Sequence, residues 1–325
     1  MTFQPVVRAA ITAFAVVAVL VVGGCSNGPA AGTGTDRFVL RIGATSVTGT
    51  PAGSLGWGDK EGILAERLAA VGVSGIEYSF FQSGKDVVAA LLSGAVDVAA
   101  VGDNPSLTAR GNGADLALLA LDSINGDSWL VGARGGPTTI QGLVGRSVTA
   151  PQGTIRDRAA RQLIEVAGLS GQIEVKDVPT PESIAGMSAG QIDATVVSGA
   201  GAAELEQRGF PVIDKTSRHG LGSVGTTVAA VSFVDGHPGF AQAWQGAVGA
   251  VNQDILDNFD AYTEWVAQTD GVDVALVRVT TDRSTFNTEP FPAQGLSQLQ
   301  AAHDFLAEDG SIQAPFDVAE WAGRT

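Results

Sequence analysis

Short apolar segments alternate with segments of helical periodicity along most of this chain. Aliphatic runs predict strands at residues 38–42, 76–81, 96–101, 116–121, 129–133, 147–149, 173–178 and 194–197. Helical periodicity predicts helices at residues 59–71, 85–92, 155–167, 182–188 and 200–207. From residue 238 onwards the helical pattern continues with almost no strand pattern. Strands that alternate with helices are typical of an α/β fold with mostly parallel sheets.

One sequence pattern occurs twice. Gly94-Ala95-Val96-Asp97 recurs 96 residues later as Gly190-Gln191-Ile192-Asp193, each time directly after a predicted helix. Glycine at that place fits the left-handed position that ends many helices. Two βα units of one fold can share this pattern without being copies, but both interpretations predict two similar α/β lobes. We place lobe one at residues 36–124 plus 225–325, including the C-terminal helices, and lobe two at residues 125–224.

The N-terminus has the pattern of an export signal. Arg8 precedes an apolar run over residues 9–22, which is shorter than the about 20 residues of a membrane span but suits a signal peptide. The run ends at Val22-Gly23-Gly24-Cys25, which resembles the lipobox of bacterial lipoproteins. We predict a signal peptide at residues 1–24, then a lipidated Cys25 and a flexible tether through residue 35. The alternative is an ordinary signal peptide followed by a buried cysteine.

Composition and charge exclude several classes of function. Lys and Arg number 19 against 34 Asp and Glu, so the net charge is −15. No basic stripe is present, which argues against nucleic acid and against a polybasic membrane patch. A single cysteine cannot form an internal disulfide or close a cysteine-based zinc site, and the three histidines are far apart in sequence. We therefore expect neither a metal nor a cofactor.

Two motifs of enzymes occur in an unsuitable context. Residues 186–190 match G-x-S-x-G, but a helix precedes this serine and a strand follows it, which reverses the order of a nucleophile elbow. Residues 220–225 match G-x-G-x-x-G, but no strand precedes them and the apolar run after them is itself strand-like. We therefore predict that the protein is not an enzyme.

Polar and small residues follow several predicted strands and open helices. The carboxyl ends of such strands are where open α/β sheets bind ligands, and free N–H groups at helix N-termini suit an anion. For any one of these turns, the alternative to ligand binding is that its polar side chain only caps the helix that follows. Arg156 adds a positive charge at the start of the helix at 155–167. The candidate ligand-binding residues are Ser46, Gly53, Ser83, Gly84, Asp103, Asn104, Gly153, Thr154, Arg156 and Ser198.

Several of these turns lie in motifs that resemble one transport family. Three stretches resemble three motifs of one pattern. Phe81-Gln82-Ser83-Gly84 resembles F-x-S-G, Leu91 through Asp97 resembles L-x-x-G-x-[IV]-D, and Val101 through Pro105 resembles [VG]-G-D-x-P. This pattern is found in substrate-binding proteins of the aliphatic sulfonate, taurine and nitrate ABC importers. Further motifs of that family are similar to three other stretches of this chain: residues 59–64, residues 143–148 and Gln152-Gly153-Thr154.

The resemblance implies a type II periplasmic binding fold, in which two lobes joined by two crossovers close on a ligand by a hinge. It also implies that Ser83-Gly84, Asp103-Asn104 and Gly153-Thr154 line the cleft and hold an acidic head group. One departure is Ser198-Gly199, where many members of the family carry an aromatic residue and an acid. The smaller side chains leave room for a larger ligand.

The expected function is that of a monomeric, lipid-anchored receptor on the extracytoplasmic face of the cell membrane. It would deliver a small organic anion, in the first place an aliphatic sulfonate, to an ABC permease and its ATPase. Nitrate, a pyrimidine or thiamine precursor and an aromatic acid stay open as alternative ligands. A desulfinase of the same fold uses a cysteine nucleophile, whereas the one cysteine here is Cys25.

Overall fold

The computed structural model describes residues 37–46 and 49–324, and the predicted signal peptide, Cys25 and tether lie outside them. The strands in this part are β1 (Phe38–Thr45), β2 (Val73–Phe81), β3 (Val98–Gly102), β4 (Leu116–Gly126), β5 (Ser128–Gly132), β6 (Ser147–Ala150), β7 (Glu174–Asp177), β8 (Ala194–Ser198), β9 (Val212–Lys215) and β10 (Ser223–Ala230).

Helices connect these strands and make up the C-terminal region. They are α1 (Gly53–Lys60), α2 (Ile63–Leu68), α3 (Gly84–Leu92), α4 (Asp103–Gly111), α5 (Ile155–Val166), α6 (Thr180–Ser188), α7 (Ala200–Gln207), α8 (Val231–Gly236), α9 (Phe240–Asp257), α10 (Phe259–Asp270), α11 (Val274–Thr280), α12 (Ala293–Glu308) and α13 (Val318–Ala322).

The strands form two sheets of the same design. One has the order β2-β1-β3-β10-β4 and the other the order β7-β6-β8-β5-β9. In each sheet the first three strands are parallel, and the fourth, β10 or β5, is antiparallel to both of its neighbours. We call each sheet with its helices a lobe, lobe one containing β1 and lobe two containing β6. The expected two-lobed α/β architecture with mixed sheets is confirmed.

The chain crosses between the lobes twice. The first crossing is at Asp127, between β4 of lobe one and β5 of lobe two, and the second lies between β9 and β10. Asn125, just before the first crossing, has a left-handed backbone with φ 57°. Its main-chain N–H donates a hydrogen bond to Gln298 of α12 at 3.1 Å, which fixes the crossing to lobe one.

The repeated sequence pattern corresponds to a repeated structure. Gly94 and Gly190 end α3 and α6 with φ values of 74° and 72°. The aspartate three residues after each glycine forms a salt bridge of 2.5 Å: Asp97 pairs with Arg41 of β1, and Asp193 pairs with Arg146, directly before β6. The two lobes therefore share the same helix end and the same ion pair.

The predicted helix at 59–71 is wrong in its extent. Helix α1 begins earlier, at Gly53, and ends at Lys60, and Gly62 then adopts a left-handed conformation with φ 73° before α2. Only glycine enters that region at little cost, so the chain breaks where an apolar periodicity continues. Strand β9, which has only four residues (Val212–Lys215), was not predicted from the sequence.

Apolar clusters cover both faces of each sheet. Helices α1, α2 and α9 pack on one face of the lobe-one sheet, and α3, α12 and α13 pack on the other. Helix α11 contacts α10 and also packs on α7 of lobe two, where Leu276 joins the core around Trp129 and Phe210. The sequence predicts the C-terminal helices on lobe one, and this assignment stays a prediction; α11 has contacts with both lobes.

Candidate functional site

A cavity of about 800 Å³ lies between the two sheets. Strands β1, β3 and β8 end at its wall, as expected for parallel strands whose carboxyl ends share one edge of a sheet. Both lobes contribute side chains to the lining. Among the lining residues are Thr45, Gly102 and Asp122 of lobe one and Trp129, Ser198 and Lys215 of lobe two.

Two of the predicted site residues, Gly53 and Ser198, line this cavity. Gly53 begins α1 with φ 58° and has open space where a side chain would be. The Ser198 hydroxyl lies 3.0 Å from the hydroxyl of Ser128, and Gly199 beside it also borders open space. The small side chains at 198–199 therefore face free volume. Ser46 accepts a hydrogen bond from Gly49 N–H at 3.1 Å and is not a lining residue of the cavity.

A second cavity, of about 830 Å³, lies between α3, α4 and α5. Asn104 and Gly153, both predicted site residues, line this second cavity together with Lys85. Ser83 and Gly84 lie at the start of α3 beside it, where the Ser83 hydroxyl accepts a hydrogen bond from Asp86 N–H at 3.3 Å. Four of the predicted residues therefore lie at or beside the second cavity, namely Ser83, Gly84, Asn104 and Gly153. Gly53 and Ser198 line the first cavity instead.

Asp103 and Asn104 link the two lobes. Arg158 of α5 donates a 2.5 Å hydrogen bond to Asp103 and one of 2.7 Å to Asn104. The Asp103 and Arg158 side chains are 0% and 3% exposed. Asn104 also donates to the Thr154 carbonyl oxygen at 3.0 Å. Both residues are therefore occupied by contacts with lobe two, and their role in ligand binding stays a prediction.

Thr154 and Arg156 belong to the first turn of α5. The Thr154 hydroxyl caps the helix, accepting from Asp157 N–H at 3.4 Å and donating to the Pro151 carbonyl oxygen at 2.6 Å. Arg156 carries a buried Nε with no hydrogen-bond partner, and it makes no salt bridge with any residue in the described ranges. Burial lowers the pKa of the Arg156 guanidinium. A positive charge without a partner at a helix N-terminus is unfavourable, and an anion nearby would relieve it.

Asp122, near the end of β4, is a lining residue that was not predicted from the sequence. Its carboxylate lies deep in the protein but opens to the cavity between the lobes. Thr227 Oγ1 donates to it at 3.1 Å. Removal from bulk water raises the pKa of this carboxyl to about 7. The sequence signal was an acid directly after the apolar run Leu116 to Leu121.

Lys215 and Trp129 were also missed as site residues. The Lys215 Nζ lies 3.2 Å from the centroid of the Trp129 ring, in a cation–π contact. Lys215 is the last residue of β9, a strand too short to recognise from its sequence. Tyr262 and Phe286 line the same cavity and pack edge to face, with ring centroids 5.1 Å apart.

Within residues 37–46 and 49–324, no group of three His, Cys, Asp or Glu side chains is arranged to hold a metal ion. Over the same residues, we find no helix with the length and apolar character needed to span a bilayer. The lipidation predicted at Cys25 lies outside this part of the chain.

Residues 50–217, more than half of the chain, match the model of the NMT1-like family. The chain belongs to this family. It is also similar to the taurine-binding periplasmic protein of Escherichia coli (strain K12), with 22% identity over 200 residues. That match covers 61% of this chain and 62% of the relative, which is less than two thirds of the relative's length.

Solved structures share the two-lobed fold. The alkanesulfonate-binding protein SsuA of Xanthomonas axonopodis pv. citri, bound to MOPS, has a TM-score of 0.72 and 21% identity, covering 88% of this chain and 98% of that chain. The desulfurization enzyme DSZB has a TM-score of 0.66 and 18% identity, covering 88% and 96%. These identities show the fold alone, which is the periplasmic binding protein fold. The resemblance seen in the sequence and the fold it implies are confirmed.

Proposed function

We propose that this protein is a solute-binding receptor of an ABC importer, which captures a small organic anion between its lobes. Our first choice of ligand is an aliphatic sulfonate. The observation that carries the proposal is the cavity of about 800 Å³ between two lobes that are joined by two crossovers. Two lobes on a hinge can enclose a ligand and exclude water from it. The taurine-binding relative and the alkanesulfonate-binding structure support the ligand class.

The head group of the anion would meet donors from both lobes. In this proposal Gly53 contributes free N–H groups at the start of α1 and Ser198 contributes its hydroxyl, because both line the cavity. Arg156 lines neither cavity, and it would contribute its charge after a movement of the lobes. The residues Ser46, Ser83, Gly84, Asp103, Asn104, Gly153 and Thr154 stay candidates that closure or opening of the lobes would bring to the ligand. The net charge of −15 does not oppose anion binding, because the local field in a cleft can differ from the field of the whole molecule.

We further propose that Cys25 is lipidated after removal of residues 1–24, which would hold the protein on the extracytoplasmic face of the cell membrane. There it would act as a monomer and deliver its ligand to a permease and its ATPase. Replacing Cys25 with Ser should move the protein from the membrane fraction to the soluble extracytoplasmic fraction. Mass spectrometry of the mature N-terminus would contradict the proposal if Cys25 carried no diacylglycerol.

An aromatic acid is the second candidate ligand. Trp129, Tyr262 and Phe286 line the cavity and would provide an apolar wall for a ring. Free volume beside Ser198 and Gly199 supports a ligand larger than an alkane sulfonate of few carbons. Nitrate and pyrimidine or thiamine precursors keep the same receptor role and serve as comparisons in the test below.

We propose that the protein binds its ligand without turning it over. The described residues contain no cysteine, because the one cysteine of the chain is Cys25. A cysteine-dependent desulfination, which the resemblance raised as an alternative, would lack its nucleophile in the cavity. Release of sulfite from a sulfonate or sulfinate by the purified protein would contradict this proposal.

A thermal-shift screen of the full chain in detergent tests the ligand class. The panel contains alkane sulfonates, sulfate, nitrate, aromatic acids and pyrimidine precursors. A ligand at 100 times its dissociation constant stabilises the folded state by about 2.7 kcal/mol, which raises the melting temperature by several degrees. We expect this shift with a sulfonate and not with sulfate or nitrate. A shift with aromatic acids alone would replace the sulfonate with the second candidate, and no shift with any compound would contradict the receptor proposal.

A further inference from the structure

Helix α11 belongs to a segment that leaves lobe one and returns to it. Before this segment, Tyr262 of α10 lies in the core on one face of the lobe-one sheet, and after it Phe286 lies in the same core. Between them, Leu276 of α11 lies in the core of lobe two beside Phe210. The chain therefore reaches lobe two once more, at residues 271–282, in addition to its two crossings between the sheets. We call residues 271–282 the strap.

Lobe one holds the chain directly after the strap. Arg283 donates a 2.7 Å hydrogen bond to the carbonyl oxygen of Leu256 in α9. The Asn125 side chain donates to the carbonyl oxygen of Ser284 at 3.2 Å. Phe286 is buried in the lobe-one core. These contacts fix the C-terminal end of the strap to lobe one.

The N-terminal end of the strap stays close to α10. Only residues 271–273 separate α10 from α11. Arg278 of α11 then lies 3.4 Å from the Glu264 carboxylate of α10, and its Nε donates to Thr263 Oγ1 at 3.4 Å. Both ends of the strap are therefore tied to lobe one, by the chain itself and by polar contacts.

The contact between the strap and lobe two is apolar. Leu276 is buried in one cluster with Ala202, Ala203 and Leu205 of α7. Among the described residues, no hydrogen bond or ion pair joins the strap to lobe two. Apolar surfaces can separate and pack again without leaving a buried polar group unpaired. The attachment to lobe two is thus of a kind that can break and form reversibly.

The strap is also part of the cavity wall. Residues 278–282 line the cavity between the lobes, directly after the buried Leu276. Ser198 and Gly199 line it directly before α7, the helix on which α11 packs. A ligand in the cavity would therefore lie against the strap and against the start of α7 at the same time.

We propose that the strap docks on lobe two when the lobes are close, detaches from it when they separate, and stays with lobe one throughout. Lobes that move apart load every attachment between them, and the Leu276 contact can yield without breaking the chain or a hydrogen bond. Leu276 is then a positioning residue that favours the closed cavity. This inference rests on the proposed receptor function for its effect on a ligand and deepens it by naming what holds the lobes closed.

Distances between pairs of spin labels test the movement of the strap without a ligand. The labels are attached to cysteines at the exposed positions Val279 of the strap, Val39 of lobe one and Val166 of lobe two, in the full chain with Cys25 replaced by Ser. Leu276→Ala should add longer distances between Val279 and Val166 and leave the Val279–Val39 distribution narrow. Longer distances from Val279 to Val39 instead, or no change in either pair, would overturn the inference.

Two further variants separate docking from general stability. Leu163→Ala is the matched control, because Leu163 is equally apolar and buried but lies in the other core of lobe two. It should leave both distance distributions as in the wild type. Leu276→Met keeps an apolar side chain in the contact and should also keep the wild-type distances. The same lengthening in Leu163→Ala as in Leu276→Ala would overturn the role of the strap.

Hydrogen exchange followed by mass spectrometry gives a readout on the unaltered chain. A detached helix of seven residues is too short to stay folded by itself, so detachment should expose the amides of α11. We expect the amides of α11 to exchange at least about tenfold faster than those of α7, after correction for their intrinsic rates. Equal protection of the two helices would overturn the inference even if Leu276→Ala does not fold.

Calorimetric titration with ethanesulfonate connects the strap to binding. A variant that populates the closed form less should bind at least about tenfold more weakly, so we expect this loss for Leu276→Ala and a change within about twofold for Leu163→Ala. Equal affinities of the wild type and Leu276→Ala would overturn the effect of the strap on the cavity. No binding of ethanesulfonate to the wild type would contradict the sulfonate ligand, while the distance and exchange measurements would still decide whether the strap detaches.

Discussion

Asp103 and Asp122 are both carboxylates removed from bulk water, but their surroundings differ. Asp103 is paired with Arg158 and also accepts from Val224 N–H at 3.0 Å. Asp122 has one hydroxyl donor, Thr227. The first carboxylate is therefore satisfied by the fold itself, while the second carries a cost that a ligand or a proton can relieve.

Replacing Arg158 with Met should destabilise the protein by about 3–5 kcal/mol, because Asp103 would stay buried without its countercharge. The control is Arg161→Met on the same helix. Arg161 is 40% exposed and pairs with Asp157, so its loss should cost no more than about 1 kcal/mol. Urea unfolding followed by circular dichroism measures both values. Equal losses in the two variants would show that the buried pair has no special role.

The Asp122 carboxyl should make the protein less stable as the pH rises. Its pKa is about 7 in the folded state and close to 3.8 in the unfolded chain, so the folded state binds more protons between these values. The free energy of unfolding therefore falls across this interval and is constant above it. Between pH 5 and pH 8 the wild type should lose about 2–3 kcal/mol more than Asp122→Asn.

Urea unfolding at pH 5, 6, 7 and 8 measures this difference. Asp270 also has a pKa raised by burial, but it is present in both proteins and cancels in the comparison. If the free energy of unfolding changed with pH in the same way in the wild type and in Asp122→Asn, the Asp122 carboxyl would be hydrated through the cavity and its pKa would not be raised.

Helical periodicity predicted the helices whose bounds depend on local sequence. Helix α7 was predicted at its observed bounds, and α5 to within one residue at its end. The break at Gly62 was missed because a left-handed residue interrupts the chain without interrupting the apolar pattern. Strand β9 was missed because its four residues are held by pairing with β5 rather than by their own pattern.

The candidate site was harder to predict than the fold. Turns at helix starts indicated Gly53 and Ser198, which line the cavity. The same signal indicated Ser83 and Thr154, whose hydroxyls cap their own helices. Capping and ligand binding use the same residue types, so sequence alone does not separate them. Lys215 reaches the cavity only through strand pairing that no local pattern shows.

Helix α11 packs on lobe two through a single apolar face that contains Leu276. Leu276 is 4% exposed in the core of lobe two, whereas Val279 on the same helix is 69% exposed. Leu276→Ala should destabilise the protein by about 2–5 kcal/mol, and Val279→Ala should change its stability by less than about 0.5 kcal/mol. Thermal unfolding of both variants is the measurement. A small loss for Leu276→Ala would mean that α11 is held by α10 rather than by lobe two.

At the scale of the whole molecule, the lobes contact each other through the Asp103–Arg158 pair and through Leu276. These contacts restrict the relative motion of the lobes in addition to the two crossovers. We expect a protein with one dominant separation of the lobes, and a broader range of separations when the buried pair is broken.

Double electron–electron resonance spectroscopy, which measures the distance between two spin labels, tests this expectation. Val39 of β1 and Val166 of α5 are 44% and 54% exposed, so spin labels on cysteines at these positions report the lobe separation once Cys25 is replaced by Ser. The wild-type background should give one narrow distance distribution, and Arg158→Met should add a population of longer distances. Identical distributions would show that the crossovers alone set the separation.

The position of β10 has a consequence for the order in which the molecule folds. β10 lies between β3 and β4 in the lobe-one sheet, yet all five strands of lobe two, within residues 128–215, precede it in the chain. As the chain emerges with its N-terminus first, lobe two therefore has its complete set of strands before β10 is present, and β3 and β4 have unpaired edges until then. Unpaired strand edges are sites of aggregation. A chaperone that shields residues 98–126 until residue 230 has emerged would be most needed in this interval.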